Sequence, residues 1–406
     1  MELFTYDRKF KKSEVVDEFS SVVWTERYFG DGDFELVVPL SMEMIDKLSV
    51  GVFLGCEGSP EPMIIQNMSI EKETIKVTGI SILPWLNNRF VRKSSKHEDR
   101  YWLISPTTTG YANTTPGWIL WNIVHQMVTW DGSMVLSGYA MPHAHQLAIT
   151  GLTLGRYDSS DAPVSISVPY GPLYDALREI AEAYNLGMRM AVTYTTDKVY
   201  LTVDSGVFPD IPQDYFLEFT NYRGIDRTTR QTVNPPVRFS PQFDSLTNIK
   251  ELQSIADQKT LVFAFAPGNP GGLATGLLAG RATTVKQWEP TVPANREEIW
   301  SFDVRAEQVF CDDITTDSGI TTAANLTTVL NQRAQAVLNA KAFKVFVDGE
   351  IVPGNQFVYG ADYGLGDIIE VQGNSGVIQL SKVTEFIRTQ DSTGERSYPT
   401  LSAIAS

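Results

Sequence analysis

Cysteine is almost missing from this chain, with only Cys56 and Cys311 among 406 residues. Two thiols so far apart in sequence cannot build the dense disulfide framework of a small secreted protein. No Cys-x-x-Cys motif occurs, which excludes a zinc ribbon and a thioredoxin-type redox site. Histidine is nearly as scarce, with four copies. Few residues are therefore available for a metal or catalytic site that needs several imidazoles.

Basic residues and long apolar runs are also in short supply. Lys and Arg number 33 against 48 Asp and Glu, giving a formal net charge of −15. This balance argues against a broad phosphate-binding surface and against attraction to an anionic membrane. The longest apolar stretches, such as Leu261–Ala266, fall far short of the ~20 residues that span a bilayer. The charged N-terminus lacks the apolar segment of a signal peptide, so we expect a soluble or particle-bound protein without a membrane-spanning segment.

The familiar catalytic motifs are absent too. The sequence contains no GxSxG, HExxH, GxxxxGK[ST] or post-strand GxGxxG pattern. His143-Ala144-His145 would place two imidazoles on one side of a strand and so offer two metal ligands, but Pro142 precedes them and a polar loop is the favoured interpretation. His125 lies on a predicted helix, where we expect a structural role.

Acidic clusters are present, and each has an ordinary explanation. Asp31-Gly32-Asp33 and the group Asp312, Asp313 and Asp317 do not follow the EF-hand calcium loop. Asp and Gly are the usual residues of tight turns, so the sequence predicts turns and neither a metal nor another cofactor. A pair of carboxylates suited to glycoside hydrolysis stays possible, because their separation depends on the three-dimensional fold.

The apolar content and the spacing of the apolar residues favour a mainly β protein with some α-helix, an α+β fold. Apolar residues make up 43 % of the chain, enough for each of two to four domains to bury a core. Helical spacing is clear at Leu173, Leu177 and Ile180, and again between Leu326 and Leu338. Other segments are predicted to be strands: Leu48–Leu54, Met63–Ile70, Met188–Thr193, Lys198–Asp204, Gln356–Val358, Asp367–Val371 and Val377–Arg388.

Composition and periodicity also suggest boundaries. The predicted segments are a β module over 1–93, a module with helices and a hairpin over 94–220, a second β module over 221–310, a helix-containing module over 311–355, and closing strands with a C-terminal tail over 356–406. The strand pair 48–70 and the strand pair 365–386 share one pattern of glycine, apolar strand, turn and alternating strand, so an internal repeat is one interpretation and chance similarity is the other.

Two motifs far apart in sequence carry a family resemblance. Val23–Leu36 has the pattern W-x-x-x-Y, a short turn and G-x-F-E-L, and Tyr359–Val371 has the pattern Y-G-x-D-Y-x-L-G-D followed by a strand. Between them, other pieces fit in order: Gly51–Leu54, Ile75–Gly79, Leu86–Arg89, Pro172–Leu186 and Arg296–Glu298. Together they resemble the tail-tip baseplate hub proteins of long-tailed, siphovirus-type phages, which are similar to the hub proteins of contractile injection systems.

The resemblance implies two tail-tube-like β-barrels, two accessory modules and a homotrimer at the virion tail tip, assembled in the host cytoplasm. It also implies that the modules over 94–220 and 311–355 are accessory and that strands from 356–390 complete the second β module. Such a hub closes the tail tube and links the distal tail protein ring to the tip fibre or spike. It meets the C-terminus of the tape-measure protein, and DNA passes through its lumen without specific binding, which the net acidic charge would favour. It is not an enzyme. The alternatives are a host-surface receptor binder and a cell-wall-degrading enzyme.

One loop stands out as a candidate interface. Pro267–Gly280 is apolar yet rich in glycine, and Leu273, Leu277 and Leu278 are its candidate contact residues. Exposed apolar clusters usually mark interfaces, so we expect these leucines to meet a neighbouring subunit or the tape-measure protein. The alternative is a loop folded back on its own barrel.

Overall fold

The computed structural model describes residues 1–91, 101–106, 114–129, 135–136, 139–140, 152–194, 215–254, 256–266, 282–287, 305–311, 323–341, 344–352 and 356–404. The chain divides into two compact units. The first comprises Met1–Val237, Ile351–Ile369 and Lys382–Ser402; the second comprises Arg238–Glu350, Glu370–Ser381 and Ala403–Ser406. The described residues are mostly β-strand with some helix, as the sequence predicts, and their strand pairings do not close into a barrel.

Strands dominate both units. In chain order they are β1 Leu3–Tyr6, β2 Lys12–Val16, β3 Ser21–Arg27, β4 Asp33–Pro39, β5 Phe53–Cys56, β6 Met63–Glu71, β7 Thr74–Ser81, β8 Phe90–Val91, β9 Tyr101–Ile104, β10 Val135–Leu136, β11 Tyr139–Ala140, β12 Leu152–Leu154, β13 Ile166–Pro169, β14 Gly171–Pro172, β15 Gly187–Tyr194, β16 Tyr215–Tyr222, β17 Arg238–Phe239, β18 Leu246–Ser254, β19 Leu261–Ala266, β20 Ala282–Gln287, β21 Ala306–Phe310, β22 Lys344–Ile351, β23 Ile368–Gln372, β24 Ile378–Asp391 and β25 Gly394–Ala403.

Helices are fewer. The α-helices are α1 Met42–Lys47, α2 Pro116–Val124, α3 Leu173–Ala183 and α4 Ala323–Ala340. A 3-10 helix covers Leu83–Asn88, and α2 continues into a π-helical turn at His125–Thr129. None of the helices that the structure describes is long and apolar enough to cross a membrane.

The main sheet of the first unit runs in the order β24-β3-β4-β7-β6-β5-β1-β2, with every neighbouring pair antiparallel and β25 paired to β24. Its inward face is apolar because the buried Phe34, Leu36 and Val38 alternate with less buried residues along β4. The Met1 ammonium group donates to Gln390 Oε1 at 2.7 Å, which brings the start of the chain to β24.

A second core in the first unit lies around α2, α3 and β15. The Thr115 side chain caps α2 by accepting a bond from the Trp118 N–H at 3.4 Å. Leu173, Leu177 and Ile180 bury one face of α3, as their spacing predicts. This helix ends at Ala183, and Asn185, just beyond its C-terminus, has a φ of 55°, the left-handed conformation expected there.

In the second unit, α4 packs against a three-stranded sheet of order β20-β19-β21. Leu330, Ala334 and Leu338 form one helical stripe against Val262 and Ala264 of β19. The pairing of β19 with β20 is antiparallel and that with β21 is parallel. Separately, β18 pairs with β22.

Two predicted strands are wrong, and the reasons are local. Ser41 caps a helix by accepting a bond from the Met44 N–H at 3.1 Å, so α1 and a turn at Gly51 precede a strand that begins only at Phe53. Residues 356–358 turn instead of pairing, because the Asp362 side chain accepts the Val358 N–H at 2.7 Å. The segment Lys198–Asp204 lies outside the described residues.

Candidate functional site

The two motifs that carry the family resemblance meet in the first unit. They line a cleft of about 380 Å³. Glu26 and Arg27 come from the end of β3, and Tyr359, Tyr363 and Asp367 come from the segment before β23. The pairing of Arg27 with Glu385 across β3 and β24 brings these distant segments together.

Tyr28 packs against the backbone at Gly366 and Gly224, next to residues that line the cleft. Its hydroxyl donates to the Asn185 carbonyl at 2.9 Å and lies 3.4 Å from the Gly224 N–H. A Cβ added at Gly187 would lie 2.5 Å from the Tyr28 ring, and one added at Gly366 would lie 2.2 Å from it. The ring therefore fills a slot between two backbones that only glycine leaves open, and its burial raises the pKa of Tyr28.

Asp367 holds the neighbouring loops in place. Its Oδ1 accepts the Ile225 N–H at 2.7 Å, while its Oδ2 accepts the Gly364 N–H at 3.0 Å and the Arg227 Nε–H at 2.7 Å. Asp367 is buried, so the ion pair with Arg227 is shielded from water. Each carboxylate oxygen is thus used to position backbone that lines the cleft.

Glu26 is a second buried carboxylate with a local cation. Its Oε2 accepts the Tyr359 hydroxyl at 3.0 Å, and its Oε1 lies 3.2 Å from Arg388 Nη1. Arg388 also donates to the Gly58 carbonyl at 3.0 Å and lies over the rings of Tyr359 and Phe386. The charge of Glu26 is therefore balanced from inside the fold.

Glu61 forms no ion pair with any residue in the described ranges. Its Oε1 accepts the Met190 N–H at 3.2 Å, and Arg189 and Glu26 act on it electrostatically. Burial of its carboxyl, together with the negative charge of Glu26, raises the pKa of Glu61 to about 8. Near neutral pH this carboxyl is mostly protonated and can donate a hydrogen bond.

We expect the substitution Glu61→Gln to change the pH dependence of stability. A carboxyl whose pKa is raised on folding stabilises the protein fully below its unfolded pKa and loses that contribution as pH rises through about 8. Glutamine cannot titrate. Between pH 6 and 9 the free energy of unfolding of the wild type should therefore fall by about 2–3 kcal/mol relative to that of the variant, or about 4–12 °C in Tm. The groups facing Glu61 are Glu26, Arg189 and Tyr222.

Differential scanning calorimetry of both proteins across that pH range measures the effect. Glu57→Gln is the matched control, because Glu57 lies in the same loop but is exposed and pairs with Lys12. The Tm of Glu57→Gln should vary with pH in the same way as that of the wild type. Parallel curves for Glu61→Gln and the wild type would refute the assignment.

The residues singled out from the sequence lie elsewhere or are already paired. Leu273, Leu277 and Leu278 fall outside the described residues, as do His143, His145 and the acidic group at 312–317. Asp31 accepts from the Tyr174 hydroxyl, and Asp33 pairs with Arg27 at 2.6 Å. The ring of His125 packs 5.1 Å from that of Trp121, and burial lowers its pKa.

Sequence reasoning missed Glu61 and Arg189, since neither belongs to a motif. Glu61 lies in a turn between Pro60 and Pro62, and Arg189 interrupts the apolar run of β15. A charged residue inside an otherwise apolar strand was the one available signal. Within the described ranges, no group of three or more His, Cys, Asp or Glu has the geometry to hold a metal ion.

Comparison with known proteins gives a match over the whole chain. The family of Siphovirus ReqiPepy6 Gp37-like proteins matches residues 2–401. The fold is similar to that of the tail protein from Neisseria meningitidis MC58, with a TM-score of 0.52 and 11 % identity, covering 98 % of this chain and 95 % of that one. It is also similar to the 43 kDa tail protein of prophage MuSo2 from Shewanella oneidensis, with a TM-score of 0.51, 10 % identity and coverage of 99 % and 98 %. No curated protein matches this sequence.

Proposed function

The chain belongs to the family of Siphovirus ReqiPepy6 Gp37-like proteins, and on that premise we propose that it is a structural baseplate hub of a phage tail tip. In this role it closes the tail tube and links the distal tail protein ring to the tip fibre or spike, without catalysis. The observation that carries the proposal is the extent of the match. Both the family and the tail-protein fold cover nearly the entire chain, so the likeness is not confined to one module.

Paired charges at and beside the cleft support a structural role. Asp367, Glu26 and Arg388 are bound to partners inside the fold, where they join segments that are distant in sequence. A catalytic acid or base needs a reacting atom within hydrogen-bond reach. The Asp367 carboxylate already holds two backbone N–H groups and Arg227. The Glu26 carboxylate accepts the Tyr359 hydroxyl and pairs with Arg388. Both carboxylates are suited to fixing loops instead.

The assembly we propose is a homotrimer in which 1–93 and 221–310 contribute tube-like β modules, with strands from 356–390 completing the wall. The modules over 94–220 and 311–355 are accessory. Three chains with two such modules each would give six quasi-equivalent wall segments, which lets a threefold hub meet a sixfold ring. In this assembly Leu273, Leu277 and Leu278 contact a neighbouring subunit or the C-terminus of the tape-measure protein.

The outward face of the main sheet fits a wall along which DNA passes. On β3, β4, β7 and residues 385–391 of β24, the described outward cations are Arg27 and Lys76. Arg27 pairs with Asp33 at 2.6 Å and with Glu385 at 2.7 Å, and Lys76 pairs with Glu35 at 2.9 Å. Cations already engaged by carboxylates bind phosphates weakly. We place this face toward the lumen.

Size-exclusion chromatography with light scattering tests the assembly. We expect a particle of three times the 45.2 kDa chain mass, and labelling of intact virions with a specific antibody should place the protein at the distal end of the tail. A chain that stays monomeric at high concentration and is missing from purified tails would contradict the proposal. Clear lysis of host cell wall by the purified protein would favour an enzyme instead.

A further inference from the structure

Arg189 lines the cleft and has no ion-pair partner among the residues that the structure describes. It lies on β15, and its guanidinium group sits over the Tyr222 ring, 5.3 Å from the ring centre. Its Nε is buried and has no hydrogen-bond partner, and no ion pair joins Arg189 to any residue in the described part of the chain. A buried donor that lacks an acceptor costs free energy, so such a group usually meets a ligand or a partner.

Other arginines of the same cleft show the kind of acceptor that the Arg189 Nε–H group lacks. Arg27 Nε donates to Glu385 Oε1 at 2.7 Å, and Arg227 Nε donates to Asp367 Oδ2 at 2.7 Å. Arg223 binds Asp161 through Nη2, and its Nε lies 3.9 Å from Asp158 Oδ1, an ion pair too long for a hydrogen bond, so this buried N–H has no hydrogen-bond partner. The cleft therefore contains two unused guanidinium N–H donors, on Arg189 and Arg223.

The nearby carboxyls do not neutralise Arg189. The negative charge of Glu26 is balanced by Arg388, 3.2 Å away. Glu61 is the other candidate, and its raised pKa keeps it mostly protonated near neutral pH. The cleft thus offers the Nε–H groups of Arg189 and Arg223, the positive charge of Arg189 and the protonated carboxyl of Glu61. These groups favour a ligand that accepts hydrogen bonds and carries a negative charge.

We propose that this cleft binds a carboxylate group carried by a partner polypeptide, held by the guanidinium groups of Arg189 and Arg223. Its volume of about 380 Å³ admits a short peptide segment. The rings of Tyr222 and Tyr359 line the same space and pack against the stem of the bound residue. The carboxylate is either a free C-terminus or an Asp or Glu side chain.

Three acetylated tripeptides distinguish the sources. The first has a free C-terminal carboxylate, the second is amidated with a central aspartate, and the third is amidated with alanine throughout. Isothermal titration calorimetry on the isolated chain at constant ionic strength should give saturable binding, with a Kd of about 1 mM or tighter, for at least one carboxylate peptide and none for the alanine amide. Absence of saturable binding by both carboxylate peptides, or equal binding of the alanine amide, would overturn the proposal.

Arg189→Gln tests the residue, with Arg178→Gln as the matched control. Arg178 is a half-exposed arginine on α3 that pairs with Glu182 outside the cleft. We expect Arg189→Gln to weaken binding at least tenfold and Arg178→Gln to leave it unchanged. If Arg189→Gln does not fold, Arg189→Lys is the variant to test. Lysine keeps the positive charge but lacks the planar guanidinium group that binds a carboxylate through two parallel hydrogen bonds, so binding should weaken severalfold. Unchanged affinity in either Arg189 variant rules out the site. Because the measurement uses the isolated chain, its outcome is independent of whether the protein is a tail hub.

Discussion

Gly366→Ala should be among the most destabilising single substitutions in this protein. Gly366 has φ of +85°, a conformation that costs a residue with a Cβ about 1–2 kcal/mol. The new Cβ would also lie 2.2 Å from Tyr28 Cε2, and forcing extra volume into a packed site costs about 1–3 kcal/mol. The expected loss is about 2–5 kcal/mol in total.

The Tyr28 ring cannot retreat from this clash. Gly187 lies on its other side, where the backbone approaches so closely that an added Cβ would be 2.5 Å away. The hydroxyl is held by the Asn185 carbonyl at 2.9 Å. Relief therefore requires movement of the backbone around residues 364–367, where Asp367 anchors the loop.

Gly360→Ala is the matched control for this effect. Gly360 lies in the same segment and has the same φ of +85°, but an added Cβ would meet nothing within 4 Å. It should show only the backbone cost of about 1–2 kcal/mol. Urea unfolding of both variants separates steric from backbone effects, and equal losses of stability would show that the packing of Tyr28 against Gly366 is unimportant.

The same pair of glycines shows how far sequence reasoning reaches. The pattern Y-G-x-D-Y-x-L-G-D predicts a tight turn, and the structure has that turn with positive φ at Gly360 and Gly366. The sequence does not distinguish the two positions, because the ring that fills the space beside Gly366 belongs to Tyr28, more than 300 residues earlier. Only the fold decides which glycine is sterically required.

Local patterns predicted elements well where one face is buried. The stripe of Leu173, Leu177 and Ile180 predicted both α3 and its buried face. Patterns failed where side-chain caps override apolar content, as at Ser41 before α1. The strand β25 was also missed, because it lies at a sheet edge and exposes most of its residues, so it lacks a clean alternation.

The cleft was harder to foresee, because it depends on pairings across the chain. Its walls are brought together in part by the pairing of β24 with β3, which places Glu385 opposite Arg27. Glu26 and Asp367 were recognisable as members of motifs, but their partners Arg388 and Arg227 were not. Arginine and carboxylate residues are common throughout the sequence, and nothing in their local spacing identifies which of them meet.

Asp367→Ala should destabilise the first unit by about 3–5 kcal/mol, the usual cost of breaking a buried ion pair from one side. The substitution leaves the Arg227 guanidinium group without its carboxylate, and it removes the acceptor of the Ile225 and Gly364 N–H groups. Three donors then lose one shared acceptor in a region where Asp367 itself is only 4 % exposed. Chemical denaturation monitored by circular dichroism measures the loss.

The control for this substitution is Asp362→Ala in the same segment. Asp362 accepts one backbone N–H, that of Val358, at an exposed position, so its loss should cost about 1 kcal/mol. A double-mutant cycle with Arg227→Leu then isolates the ion pair. Because removing Arg227 also removes the unpaired cation, the double variant should be more stable than the sum of the single losses predicts, with a coupling of about 1–3 kcal/mol. Additive losses, or equal effects of Asp367→Ala and Asp362→Ala, would show that this carboxylate does not hold the loops of the cleft together.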